Sequence, residues 1–273
     1  MHFSFLPSYT LVYWWSYEIY NYKKKNIIIT LIFFILVFTI IFLLLNFNNN
    51  VSIQTSSNEL EDFYSKIQNL TNQKEKIAYL TFDDGPTLKS TSKILDILNE
   101  ENVKASFFVI GKHVKEHPEL VKRAYEEGHY IANHGYSHNN SKLYSSADAF
   151  INEITSTDIE IGKAIGVNDY CSHIFRFPNG YMSSVYKSKK EEYVTLLSNI
   201  DYTYIDWNCL NKDSEKKYSN QELLNNLKQS AKNKGTLVIL MHDTSDVNQT
   251  ELVLKDSIDY LKEQGYTFKN FYE

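Results

Sequence analysis

Two adjacent carboxylates, Asp83 and Asp84, and two imidazoles, His134 and His138, belong to residue types that bind divalent metal ions. One carboxylate and two imidazoles hold Zn²⁺ or a similar ion and leave positions open for water and substrate. An ion so held lowers the pKa of a bound water towards about 7, so hydrolysis at neutral pH is the expected chemistry. Asp84, His134 and His138 form the candidate ligand set, and Asp83, pointing elsewhere along the same segment, is placed to take the water's proton. Gly135 favours a loop between the two histidines over the helical His-Glu-x-x-His arrangement, and the Glu of that pattern is absent. Arg176, Asp206-Trp207 and His242-Asp243 add further ionisable groups.

Each piece alone has an ordinary explanation. Asp-Gly-Pro is a good turn, a histidine pair at a spacing of four arises by chance, and Arg176 could be a structural ion pair. Their placement on the predicted elements is what joins them. The apolar runs predict strands at Ile77–Phe82, Ala105–Ile110, Tyr130–Asn133, Ile174–Phe177, Tyr202–Trp207, Thr236–Met241 and Thr267–Phe268. Helical periodicity predicts helices at Ser90–Glu100, Pro118–Glu127, Ala147–Ile165, Lys189–Ser198, Gln221–Lys232 and Glu251–Gln264. Repeated β-then-α units imply a parallel sheet wrapped by helices, either an irregular seven-stranded barrel or an open doubly wound sheet. Five strands end in the ionisable groups named above, and in such folds sites form at the C-terminal strand ends. No glycine-rich dinucleotide or phosphate loop follows any strand.

Composition narrows the partners. With 28 basic against 33 acidic residues the chain has no basic face for nucleic acid, which is excluded as a partner. Cys171 and Cys209 are too few for a disulfide framework, and the predicted strands place them at opposite ends of the sheet, against a bridge. Ile27 to Leu45 is an uninterrupted apolar run broken only by Thr30 and Thr39, about 28 Å long as a helix and close to a bilayer core. It exceeds the apolar core of a signal peptide and no small-residue cleavage site follows, so an uncleaved transmembrane anchor is expected. Lys23, Lys24 and Lys25 precede it, which places the N-terminus in the cytoplasm and the rest outside the cell. The expected organisation is a cytoplasmic segment 1–26, an anchor 27–45, a linker 46–75 with a short helix at Glu59–Leu70, and a catalytic domain 76–273.

In order and spacing, Thr81–Pro86, His134–His138, Arg176–Gly180, Asp206-Trp207 and Leu237–Asp243 resemble the five motifs of the polysaccharide deacetylases, carbohydrate esterase family 4, the NodB-homology domain. The resemblance runs from about Ile77 to Phe268. It implies a distorted (β/α)7 barrel and metal-dependent hydrolysis of N-acetyl groups on amino sugars. It also implies roles: Asp83 as catalytic base, Arg176 paired with Asp83, His242 as general acid, and Asp206 as the group that orients His242. Trp207 and Leu240 would wall the acetyl pocket, while backbone at Asn179 and Gly180 would meet the oxyanion and substrate. Zn²⁺ is the expected ion, with Co²⁺ or another divalent ion as alternative. One departure is Asn179, where the family commonly carries Tyr, and it bears on how neighbouring sugars stack. An outward-facing domain at the membrane makes cell-wall glycan, peptidoglycan above all, the expected substrate. Chitin-like oligosaccharides, a non-sugar amide, or a catalytically silent glycan-binding module are the competing readings.

Overall fold

The computed structural model describes residues 59–244 and 250–272. The expected anchor Ile27–Leu45 lies outside them, and among the described residues no helix is long and apolar enough to cross a membrane. The chain divides into Met1–Leu60 and Glu61–Glu273, and the second unit holds the fold described below. It opens with helical residues 61–69, where the short helix was expected, and a 3₁₀ turn at Leu70–Asn72.

Eight strands follow in chain order: β1 (Ile77–Asp83), β2 (Ser106–Val109), β3 (Tyr130–Asn133), β4 (Ile174–Phe175), β5 (Thr203–Tyr204), β6 (Cys209–Leu210), β7 (Leu237–His242) and β8 (Thr267–Phe268). The intervening helices are α1 (Thr91–Glu100), α2 (Gly111–Glu116), α3 (Pro118–Glu126), α4 (Asn140–Leu143), α5 (Ala147–Ile165), α6 (Lys187–Asn199), α7 (Asn220–Ala231) and α8 (Glu251–Glu263). All pairings are parallel, in the order β5-β4-β3-β2-β1-β7-β6, with β8 added on β1. The expected distorted (β/α)7 barrel is thus found as a parallel half-barrel: β5 and β6 end the path, and the described strands do not close into a ring. Two of the expected strands are shorter than their apolar runs, because the chain leaves the sheet after Phe175 and Tyr204. Pro178, which has no N–H to donate, and Asn179, at φ +67°, turn the first of these exits.

Alternation along β1 explains how the sheet is buried on both faces. Ala78, Leu80 and Phe82 point into the larger core with Phe107, Val109, Ile131, Ile239 and Met241, where α1, α3, α5, α7 and α8 cover the sheet. Tyr79 points the other way, into a second core with Phe108, Tyr130, Ile174 and Val238, closed by Ile67, Leu70 and Phe271. Thr81 and Asp83 share the Tyr79 face by the same period, and they are the polar continuation of that core towards the strand ends.

Helix boundaries are capped by side chains and by proline. Pro118 opens α3, Ser146 caps α5, and Ser219 with Glu222 forms a reciprocal capping box on α7. Cys171 and Cys209 are both free thiols, as expected.

Candidate active site

Strand register brings the chemistry together. Asp83 at the end of β1 lies directly beside His242 at the end of β7, and Phe108 of β2 flanks it on the other side. Val109 pairs with Asn133 and Asn133 with Phe175, so His134 and Arg176 emerge next to one another just past β3 and β4.

Arg176 is fully buried and organises the floor of the site. Its Nη1 donates to Asp83 Oδ1 and to Thr81 Oγ1, both at 2.8 Å, and its Nε donates to the Ile205 carbonyl at 3.1 Å. The guanidinium lies 3.9 Å from the Phe108 ring centroid and 5.7 Å from that of Trp207. A buried pair of this kind is weak evidence for stability, but it fixes one carboxylate oxygen of Asp83 and leaves the other, Oδ2, for chemistry.

Asp84, His134 and His138 converge, with one donor atom of each lying within 4.8 Å of the others. Asp84 Oδ1 is 3.5 Å from His134 Nε2 and 3.3 Å from His138 Nε2. His134 Nδ1 donates to the Arg176 carbonyl at 2.8 Å, which fixes the tautomer and turns the Nε2 lone pair towards Asp84. Burial pushes Asp84 up, but His134, His138, His242 and His113 outweigh it and hold the carboxyl below its ordinary range. Burial dominates at His134, whose pKa is lowered, so the ring is kept neutral. Asp84 Oδ1 is buried with no hydrogen-bond partner among the described residues. An orphaned buried carboxylate oxygen facing the Nε2 atoms of two imidazoles fits a divalent cation. Asp84 and His138 both take left-handed backbone, φ +75° and +51°, a conformation unusual outside glycine and concentrated at functional sites.

The histidine loop is held from behind. Glu153 of α5 accepts from the Tyr136 N–H at 2.9 Å, the Ser137 N–H at 2.7 Å and the Ser137 hydroxyl at 2.8 Å. His113 of α2 donates from Nδ1 to the Asp84 carbonyl at 2.8 Å. Neither residue was anticipated: Glu153 lies on a helix whose charges read only as a surface, and His113 on a helix too short to show a period.

His242 requires a correction. Asp206, expected to orient it, instead accepts from the N–H groups of Tyr181 at 2.8 Å and Met182 at 3.0 Å. The partner of His242 is Asp213: its Oδ1 lies 2.7 Å from His242 Nδ1, and its Oδ2 accepts from the His242 N–H at 2.7 Å and from the Thr250 hydroxyl. Burial pulls the His242 pKa down, but the hydrogen bond and charge of Asp213, helped by Asp83 and Asp84, raise it to about 9. The reason for the misassignment is β6: Cys209–Leu210 continues the sheet beyond β7, and Asp213 stands just past its end, whereas Asp206 precedes that strand.

Gly180, at φ +78°, packs so closely under Trp207 that a Cβ there would stand 2.7 Å from the indole. Asn179 Oδ1 accepts from Asn140 Nδ2 at 2.9 Å, tying this loop to the segment after the histidines. Among the described residues the Asn179 N–H has no acceptor. Leu240 is buried on β7, in register with Thr81. Asp243 lies outside this set, buried against Thr91, with its pKa pushed up by burial to about 8.

The family model for polysaccharide deacetylase matches residues 71–204. Peptidoglycan-N-acetylmuramic acid deacetylase PdaA of Bacillus subtilis is 35% identical over 74% of this chain and 72% of its own length. A peptidoglycan-N-acetylglucosamine deacetylase of Bacillus cereus is 36% identical over 74% of this chain and 71% of its own. The crystal structure of the catalytic domain of a peptidoglycan N-acetylglucosamine deacetylase from Eubacterium rectale superposes with a TM-score of 0.65 at 31% identity, covering 71% of this chain and 88% of that one. A parallel α/β half-barrel with a His-His-Asp centre beside a buried Asp-Arg pair defines a hydrolase of acetylated sugars, and the chain belongs to the polysaccharide deacetylase family.

Proposed function

We propose that this chain removes N-acetyl groups from the amino sugars of peptidoglycan, releasing acetate, with one divalent ion held by Asp84, His134 and His138. The observation that carries the reading is the register of β1 and β7, which sets a candidate base, Asp83, beside a candidate acid, His242, next to that triad. Zn²⁺ suits a two-imidazole, one-carboxylate donor set, with Co²⁺ as a substitute, and when bound it acidifies water and polarises the amide carbonyl.

The protein's own groups supply the remaining steps. Asp83, held by Arg176 through Oδ1, takes a proton at Oδ2 from the attacking water. The Asn179 N–H donates to the carbonyl oxygen as negative charge develops on it. His242 delivers a proton from Nε2 to the departing amine, while Asp213 keeps Nδ1 protonated and the ring charged. Trp207 and Leu240 wall the space for the acetyl methyl.

Location supports cell-wall glycan as the substrate. Lys23–Lys25 followed by the apolar run Ile27–Leu45 favours a single anchor with the catalytic domain, residues 76–273, outside the cell. The relatives named above act on both N-acetylglucosamine and N-acetylmuramic acid units, so both belong in the assay. The test uses the full-length chain in detergent, stripped with a chelator and reloaded with Zn²⁺ or Co²⁺. Acetate release from N-acetylglucosamine oligomers and from peptidoglycan is then measured. Metal-restored release, greater from peptidoglycan, is expected. Metal binding without acetate from either substrate would refute the proposal in favour of a non-sugar amide or a silent binding module.

A further inference from the structure

Lys190 of α6 is a lysine with no exposed surface, and its destination is unusual. Its Nζ reaches out of the helix to the Gly180 carbonyl at 2.5 Å and the Ser183 carbonyl at 3.3 Å. The same four-residue loop is gripped from its other polarity by Asp206, whose two carboxylate oxygens take the Tyr181 and Met182 N–H groups. A buried cation therefore holds the loop's carbonyls and a carboxylate holds its amides. Placing an ammonium out of water is expensive unless it is hydrogen-bonded and paired. Burial lowers the pKa of Lys190, and Asp206 is the neighbour that raises it, so the two charges sense one another across the loop.

The loop needs such a grip. Asn179 and Gly180 both take left-handed backbone, φ +67° and +78°, and Gly180 leaves no room for a Cβ beneath Trp207. Two consecutive residues in this region form no regular ladder, so side chains must satisfy the polar groups that follow. Met182, 79% exposed, shows that the loop's outer side has little packing to hold it.

We propose that Lys190 is a positioning residue for deacetylation, acting with Asp206 as an ionic clamp on residues 180–183 that sets the Asn179 N–H and the Trp207 wall. This rests on the reading that the loop lines the acyl pocket. Asp206 thereby gains a role in place of the one it does not play at His242. Neither side chain touches the metal triad; the link to the base is through the Asp206 backbone, whose carbonyl accepts from Arg176 Nη2 at 3.3 Å. Displacing a donor by about 1 Å costs on the order of 100-fold in rate.

The test compares wild type with Lys190→Met, which keeps the apolar stem and removes the charge, in the full-length chain. Three quantities are read: Zn²⁺ affinity, kcat and KM for acetate release, and amide hydrogen exchange in the peptide spanning 178–186. Expected for Lys190→Met are Zn²⁺ affinity within twofold of wild type, kcat lowered 10- to 100-fold, and faster exchange confined to that peptide. Lys190→Gln, which retains one donor, should fall between the two and gives the same reading should the Met variant fold poorly. In the double variant Lys190→Met/Asp206→Asn, the loss should be no greater than that of the worse single change, because one loop is released once. Unchanged kcat with a released loop, or a lowered kcat with exchange in 178–186 unchanged, overturns the clamp. A wild type that binds Zn²⁺ but releases no acetate refutes the deacetylase reading instead, and overturns the role of Lys190 in deacetylation with it. Exchange that still rises under Lys190→Met would in that case mark a structural grip alone.

Discussion

Replacing Asp213 with Asn should move the alkaline limb of the pH–rate profile, and replacing Asp206 with Asn should not. In the wild type His242 titrates at about 9, so at pH 7.5 nearly all of it is protonated and able to act as an acid. Asp213 supplies the hydrogen bond and the charge that offset burial, which by itself lowers the value below the ordinary 6.5. The amide introduced by Asp213→Asn would still accept the Nδ1–H but carry no charge. The histidine pKa therefore falls in the variant, and at the ordinary histidine value of 6.5 the protonated fraction at pH 7.5 is about a tenth. A loss of roughly tenfold or more in kcat/KM at pH 7.5 is therefore expected, partly recovered by lowering the pH towards 6. A bound divalent cation lowers the limb in every variant alike, so the comparison between variants is the measurement. The assay is acetate release by the metal-loaded full-length chain from pH 5.5 to 10. An alkaline limb that stays in place in Asp213→Asn, or that moves in Asp206→Asn instead, would refute the assignment of Asp213.

Asp83→Asn should abolish turnover while retaining metal, since Asn can still accept from Arg176, whereas His134→Ala should lose both; equal metal loss in the two variants, read by metal analysis after gel filtration, would contradict the separate roles of Asp83 and Asp84. Glu153→Ala should weaken Zn²⁺ binding by about 10- to 100-fold, because it frees the loop between the two histidines; titration of the stripped chain reads this directly, and an unchanged affinity would make Glu153 a packing residue only. His129 is fully buried, accepts from the Ala105 N–H, and is lowered from 6.5 to about 4, mainly by burial. The unfolded chain therefore takes up the proton first as the pH falls, and stability is lost progressively from about 6.5 downwards, roughly 2 kcal/mol by pH 5. His129→Gln should flatten that slope in denaturant melts, and parallel slopes would sink the attribution.

Much of the fold was readable because its signals are local. Apolar runs buried on both faces marked β1, β2, β3 and β7, and Pro118 and the helix periods marked most helices. Among the described strands the one missed was β6. β6 is Cys209–Leu210, too short for any period to register, and it exists because the Ile239 and Leu240 backbone offers a free edge. The short helices α2 and α4 escaped for the same reason: one turn or so of chain carries no periodic signal.

That missed strand explains the one misassigned partner at the site. The candidate ligands and base lie at or just past the ends of strands whose apolar runs announce them, and Asp83, Asp84, His134, His138, Arg176 and His242 were all visible there. Asp213 follows a strand that the sequence does not announce, and so Asp206, beside the conspicuous Trp207, drew its role. The supporting shell was hidden for a different reason. Glu153 and Lys190 face inward from helices whose solvent-side charges look alike in sequence, and only the loop they grip distinguishes them. A buried charge on a helix is costly unless it is paired or hydrogen-bonded, so an inward Glu or Lys must reach a group that needs it. Here both reach irregular loops at the catalytic rim, one behind the metal ligands and one behind the acyl pocket. The helices of this half-barrel thus do more than cover the sheet: they carry the charges that hold its functional loops in conformations those loops would not keep alone.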